Sequence, residues 1–185
     1  SGQTCCALTR MLVPAEQLAE VEEIAKYAAA EWQLGDPMLA ATNMGPLSSR
    51  QQQQRVLSYI EKGIEEGAKL LCGGTQLPEA LHKGAYVLPT IFSDVSNDMI
   101  IAQEEIFGPV LCIIPYQNIQ QAIELANETP FGLSSAVFAA NQTAAINIAS
   151  KIRSGQCYIQ GALFNTDSPF GGYKQSGNGR EWGIE

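Results

Sequence analysis

A chain of 185 residues with 45% hydrophobic and 16% charged residues, 17 Gly and 9 Pro has the make-up of an ordinary globular protein, which excludes disordered and collagen-like classes. Eleven Lys and Arg against nineteen Asp and Glu give a net charge of −8, which repels a phosphate backbone, so nucleic acid is not an expected partner. No apolar run approaches the ~20 residues of a membrane span, and the start, Ser1-Gly2-Gln3-Thr4-Cys5-Cys6, has no basic region followed by an apolar stretch, so neither a membrane partner nor secretion is expected.

In chain order, residues 8–13 are apolar and β-branched enough for a short strand, and Pro14 stands where a helix can begin without losing a bond. A helix is expected over about 14–32, with Leu18, Val21, Ile24, Ala25 and Ala28 on its dry side and Glu16, Glu20, Glu22, Glu23 and Lys26 available for the wet side. Gly35-Asp36-Pro37 ends it, and residues 36–46 read as a loop. Ser48 or Ser49 can cap a second helix running to about Glu66, with Val56, Leu57, Ile60 and Ile64 as its buried stripe. Residues 69–72 and 86–92 read as strands separated by a polar turn region that holds Gly73-Gly74 and His82, and Pro89 makes the second an edge or irregular strand. Val110-Leu111-Cys112-Ile113-Ile114 is continuously apolar, as in a parallel strand covered on both faces. A helix over 119–127, a strand over 134–138, a helix over 144–152 and a strand over 156–159 complete the alternation. Alternating strands and helices with short connections predict right-handed βαβ crossovers. The fold class is α/β, a three-layer α/β/α arrangement with a mostly parallel sheet, and one domain is the first expectation from length.

Five cysteines form an odd set, two adjacent and the others at 72, 112 and 157, which suits free thiols in a reducing, cytoplasmic setting better than a disulfide framework. The single histidine, His82, excludes a His-rich metal cluster, and no metal site is expected. Cys5 and Cys6 lie beside Gly2, where backbone can approach a ligand closely. Taken alone, they read first as a pair of small buried apolar residues, with a nucleophile as the lesser alternative. Glu104-Glu105-Ile106-Phe107-Gly108-Pro109 places two carboxylates and a ring just before a buried strand, where ligands bind in such sheets. A solvated acidic pair at a loop is the other reading. Residues 169–180 are too Gly-rich for a regular element and too aromatic for a plain linker, and read as a shaped binding loop. Neither phosphate-loop template fits, so the chain contains no dinucleotide fingerprint of its own.

These three segments, in this order and at these separations, resemble the C-terminal catalytic half of the NAD(P)-dependent aldehyde dehydrogenase superfamily over essentially the whole chain. Gly2-Gln3-Thr4-Cys5 is similar to the family's nucleophile motif, Glu105-Ile106-Phe107-Gly108-Pro109 to its cofactor-contacting loop, and residues 127–133 and 169–183 to its later landmarks. The run from Gly172 to Gly183 resembles bacterial members. The resemblance implies that Cys5 is the nucleophile and Cys6 a neighbour, and that the Cys5 N–H is one oxyanion donor. It also implies that Glu105 holds the nicotinamide-side ribose hydroxyls, that Phe107 packs on that end of the cofactor, and that Gln52 and Arg55 approach its adenosine side. Phe164 and Phe170 become aromatic walls of the aldehyde tunnel, with ordinary core packing as the alternative.

The same resemblance places the family's NAD-binding domain, general-base glutamate and oxyanion asparagine upstream of Cys5, and its oligomerisation segment after the last residue. Residues 1–185 are therefore expected to be a catalytic-domain fragment of a longer homo-oligomeric enzyme, with a small-molecule aldehyde as partner. NAD or NADP is expected in the full-length protein and none bound to the fragment, and a surface bared by the cut should favour self-association. Two competing readings stand beside it: a non-catalytic thiol, redox-sensing or interaction domain on the same fold, and a cysteine hydrolase that draws on His82 as its base.

Overall fold

A computed structural model describes residues 1–183. The chain divides into two compact units, one made of residues 1–4 and 9–116, the other of residues 5–8 and 117 onward. The fold is mixed α/β with mostly parallel strand pairing, and its strands group into a four-stranded and a two-stranded sheet.

The first unit contains β1 (Arg10–Pro14), α1 (Leu18–Ala30), α2 (Arg50–Glu65), β2 (Lys69–Cys72), β3 (Thr90–Ser93), α3 (Ile100–Gln103) and β4 (Val110–Tyr116). Its sheet runs β1-β4-β3-β2, with β4 parallel to both β1 and β3, and β2 antiparallel to β3. The apolar run of β4 takes an interior position, burying Val110, Cys112, Ile113 and Ile114. Pro89 does not make the neighbouring strand an edge. Strand β3 starts one residue after it, lies between β4 and β2, and buries all four of its residues, and its first N–H, that of Thr90, donates to the Pro109 carbonyl at 2.9 Å.

The first helix corrects the expected wet and dry faces. A 3-10 turn (Ala15–Gln17) precedes α1, and the inward stripe runs through Leu18, Val21, Glu22, Ala25 and Ala29, packed on Val13, Ile91 and Ile113. Ile24 and Ala28 fall one position off that stripe and are exposed, whereas Glu22 is buried. Its carboxylate accepts from Lys69 Nζ at 2.7 Å and from the Ser93 hydroxyl at 2.7 Å. The Lys69 bond first, and Ser93 second, hold this carboxyl below the usual range. On α2 the Ser49 side chain caps the start by accepting from the Gln52 N–H at 3.1 Å. The buried face is Gln53, Val56, Tyr59, Ile60 and Gly63, at three- and four-residue steps; Leu57 is half-buried and Ile64 exposed, contrary to the expected stripe. Gly63 lets α2 approach α3 and β3, because a Cβ there would meet Ile101 Cδ1 at 2.9 Å and Phe92 Cζ at 3.0 Å.

The second unit contains α4 (Ile119–Asn127), β5 (Ser134–Val137), α5 (Gln142–Ala149) and β6 (Gln156–Ile159). Strands β5 and β6 pair in parallel, with α5 as their crossover. Asn118 caps α4 by accepting from the Gln121 N–H at 3.0 Å. Asn141 caps α5 in the same way at 2.9 Å, so that helix begins and ends earlier than its apolar residues alone indicate. Among the described residues, no helix is long and apolar enough to cross a membrane.

Candidate active site

In the first unit, the loop from Glu104 to Pro109 is held by one face of α2. Gln52 Nε2 donates to the carbonyls of Ile106 at 3.1 Å and Phe107 at 2.9 Å, and Arg55 Nη2 donates to the carbonyl of Glu105 at 2.8 Å. Three successive loop carbonyls are thus satisfied by two side chains spaced three apart on a helix, which is the spacing that puts them on one face. Ile106 is buried and anchors the loop, whereas Glu105 is exposed and Phe107 half-buried. Phe107 has φ +58, a left-handed conformation unusual for a residue with a bulky side chain. Gly108 lies against the helix so closely that a Cβ would stand 2.5 Å from Val56 Cγ2.

Glu104, the other carboxylate of this loop, and Tyr59, which the sequence did not single out, complete this clamp. Tyr59, buried on the same helix, donates to Glu104 Oε2 at 2.6 Å and accepts from Arg55 Nη2 at 2.9 Å, with the guanidinium carbon 4.9 Å from its ring centroid. Burial first, and the Glu104 carboxylate second, push this phenol above its ordinary value. The sequence signal was present in the i, i+4 step from Arg55 to Tyr59, but its partner is 45 residues away in the chain.

The motif around the first cysteine is split between anchoring and exposure. Gly2 has φ +70, and a Cβ on it would fall 2.1 Å from the Gly108 carbonyl oxygen, so a side chain is excluded at that position. Gln3 Oε1 accepts from the Ser48 N–H at 3.0 Å, just ahead of the α2 cap. The chain then passes into the second unit, where Cys5 is exposed in a turn and Cys6 is half-buried. Tyr158 of β6 is raised above its ordinary value by burial first and by the Cys6 thiol second.

Phe164 and Phe170 belong to the same unit as Cys5, and their ring centroids are 6.3 Å apart with planes at 64°. Trp182 joins them, 5.4 Å from Phe164 in an edge-to-face arrangement and 5.4 Å from Phe170. The run from 169 to 183 is shaped by its own backbone. Phe170 and Glu181 exchange N–H to carbonyl bonds at 2.7 and 2.9 Å, Arg180 Nη1 donates to the Gly172 carbonyl at 2.7 Å, and Lys174 Nζ donates to the carbonyls of Asn127 and Thr129 at 2.5 and 3.0 Å. Lys174 thus engages carbonyls at the end of α4, a placement that stabilises a helix C-terminus, and Arg180 engages carbonyls within the loop. Gly172, Lys174 and Arg180 therefore read as loop architecture.

Two of the other thiols, Cys72 and Cys112, are shielded by packing. Cys112 is buried and burial pushes its thiol up to about 12, while Cys72, half-buried, is raised by the same cause. His82 is exposed, with Nε2 3.0 Å from the Leu77 carbonyl of its own loop. Among the described residues there is no group of three or more His, Cys, Asp or Glu side chains placed to hold a metal ion.

The sequence profile of the aldehyde dehydrogenase family matches residues 1–185. A 3-succinoylsemialdehyde-pyridine dehydrogenase from a Pseudomonas species is 50% identical over 183 residues, which cover 99% of this chain and 38% of that protein. Among solved structures, a variant of aldehyde dehydrogenase C from Pseudomonas syringae, in complex with NAD+ and octanal, superposes with a TM-score of 0.96 at 47% identity, covering 99% of this chain and 38% of the other. An aldehyde dehydrogenase from Mycobacterium tuberculosis with NAD+ bound gives 0.95 at 46% identity, with 98% and 38% covered. The chain spans about 38% of the length of these relatives.

Proposed function

Because this chain belongs to the aldehyde dehydrogenase family, we propose that it carries the catalytic half of an NAD(P)-dependent oxidoreductase that converts an aldehyde to a carboxylic acid through Cys5. The supporting observation is the exposed Cys5 at the end of a motif whose Gly2 and Gln3 are locked against the loop and the helix cap. In this reading the Cys5 thiolate adds to the aldehyde carbon, forming a C–S bond and an alkoxide that accepts from the Cys5 N–H. The carbonyl re-forms as hydride departs, leaving a thioester. Water then adds to that thioester, and the thiolate leaves as the acid forms.

A bound nicotinamide nucleotide supplies the hydride acceptor. The loop residues fit such a group, since Glu105 offers an exposed carboxylate to ribose hydroxyls and Phe107 offers a half-buried ring on a fixed backbone. Gln52 and Arg55 serve it by holding the carbonyls of that loop, in addition to the adenosine-side approach that the family resemblance implies. Phe164 and Phe170 receive the aldehyde. Residues 1–185 form part of one catalytic domain of a cytoplasmic, bacterial homo-oligomer in this reading, supported by five free cysteines and by bacterial relatives.

The test is a short iodoacetamide pulse followed by tryptic mapping, in which the peptide ending at Arg10 carries both Cys5 and Cys6. Alkylation of Cys5 well ahead of Cys6 is expected, and slow, equal labelling of the two would sink the assignment in favour of a structural pair. Expressed as these 185 residues alone, the chain should turn over aldehyde on the order of 10⁴-fold or more below a complete enzyme, because the family places the base and the second oxyanion donor upstream of Cys5.

A further inference from the structure

We propose that Trp182 is a specificity-determining residue, forming with Phe164 and Phe170 a three-ring wall that favours aldehydes bearing an aryl or heteroaryl group over alkyl aldehydes. The proposal rests on the reading of Cys5 and the two phenylalanines as the substrate site, and it adds to that reading a residue and a substrate class.

Three rings meet pairwise at centroid separations of 6.3, 5.4 and 5.4 Å, inside the range where aromatic quadrupoles attract. Two of the three contacts are edge-to-face, so the rings present a mixture of electron-poor edges and electron-rich faces. An aryl group entering beside them gains quadrupolar attraction as well as buried area. A saturated group of the same size gains the area alone.

The cluster is not part of the packed core. Phe164 is 47% exposed and Trp182 50%, so both rings touch their partners and still offer about half of their surface to a ligand. The backbone holds the indole in place. Trp182 itself has φ +60, a conformation costly for a large side chain, and such strain persists only where the surroundings enforce it. Glu181, one residue before, is paired to Phe170 in both directions. Gly183, one residue after, has φ +72 and lies where a Cβ would stand 2.7 Å from the Pro169 ring nitrogen. The loop therefore closes on itself through the Phe170–Glu181 bridge and the Gly183–Pro169 approach, and carries Phe170 and Trp182 on its two arms, a preorganised pair that loses little entropy when a ligand docks. Cys5 belongs to the same compact unit as all three rings.

The experiment uses the 185-residue chain and two neutral alcohols that lack a carbonyl: 3-phenylpropan-1-ol and its saturated counterpart 3-cyclohexylpropan-1-ol. In a Trp32→Phe chain Trp182 is the only tryptophan, so its emission reports binding at the wall directly. The phenyl compound is expected to bind about three- to tenfold more tightly than the cyclohexyl one, the ratio supplied by one good aromatic pair. Equal affinities, a reversed order or no binding of either overturns the proposal. In ligand-observed NMR titrations, Trp182→Leu should abolish the ratio and Trp182→Phe should retain a preference for the aryl compound; an unchanged ratio in Trp182→Leu removes Trp182 from the wall. Neither alcohol reacts with a thiol, so this outcome stands apart from the iodoacetamide test of Cys5.

Discussion

Substituting Gly108 by Ala probes the contact through which α2 fixes the loop. The new Cβ would stand 2.5 Å from Val56 Cγ2 and 2.8 Å from Cγ1, so about 1 Å of movement is needed to restore an ordinary carbon contact of ~3.5 Å. Val56 is fully buried and, as a β-branched residue within a helix, has one strongly preferred rotamer, so it cannot turn away. The loop cannot retreat either without breaking the two bonds from Gln52 to the Ile106 and Phe107 carbonyls. Overpacking of this kind costs about 1–3 kcal/mol. Val56→Ala alone loses two carbons, ~1.6 kcal/mol by transfer, plus a cavity contribution. In the double variant the new methyl occupies space vacated by valine, so the two losses should fall short of their sum by about 1–2 kcal/mol. Urea unfolding followed by Trp32 emission in a Trp182→Phe background reads the first unit, to which Trp32 belongs. A cycle that closes additively to within ~0.5 kcal/mol would show that Gly108 and Val56 do not share this space.

Two further outcomes follow from buried titratable groups. The Glu22 carboxyl is lowered in the folded chain by Lys69 first and Ser93 second, so its stabilising contribution is complete above the ordinary carboxylate value of 4.5 and is lost as pH falls through the lower folded value. Glu22→Gln should therefore show a flatter fall in urea midpoint between about pH 5 and pH 3 than the parent; parallel curves would contradict the pairing. Burial places the Cys112 thiol near 12, so iodoacetamide at pH 8 should leave it unlabelled in the folded chain while Cys5 is consumed, and should label it at once in urea. Labelling of Cys112 at the Cys5 rate under native conditions would contradict its burial.

Local chemistry made most elements readable in advance. The serine cap of α2, the apolar run of β4 and the alternation after it announced themselves because each depends on neighbours within a few residues. The errors lie where a distant partner decides. Glu22 reads as a wet residue until Lys69 and Ser93 reach it across separations of 47 and 71 residues. Ile24 and Ile64 read as core because hydrophobicity was counted without the phase of the helix, which the neighbouring sheet and helix set. Pro89 suggested an edge, but the missing N–H lies one step before the ladder starts. The site followed the same division: Cys5, Glu105, Phe107, Gln52, Arg55, Phe164 and Phe170 came from a family likeness in short motifs. Tyr59 was not singled out at all, and the partners of Glu104 and Trp182 became visible only once the chain brought helix, loop and C-terminal turn together.

The Gly2-Gln3-Thr4-Cys5 motif gains a physical division of labour from this structure. Glycine is required at its first position by the Gly108 carbonyl, which occupies the volume of a Cβ, and by a φ of +70 that a side chain would oppose. Glutamine at the second supplies an acceptor to the Ser48 N–H, one residue ahead of the α2 cap. The first therefore fits backbone against the loop that carries Glu105 and Phe107, and the second ties it to the start of α2. Cys5, two residues after Gln3, is exposed in a turn. In the proposed reading, a thiol that attacks a carbonyl needs an anchored backbone and an accessible side chain, and the locked Gly2 and Gln3 followed by the exposed Cys5 fit that need. Substitution of Gly2 should consequently slow Cys5 alkylation without altering the buried Cys112, a dissociation that peptide mapping reads in one experiment; equal effects on both thiols would mean that Gly2 supports the fold as a whole and not the presentation of Cys5.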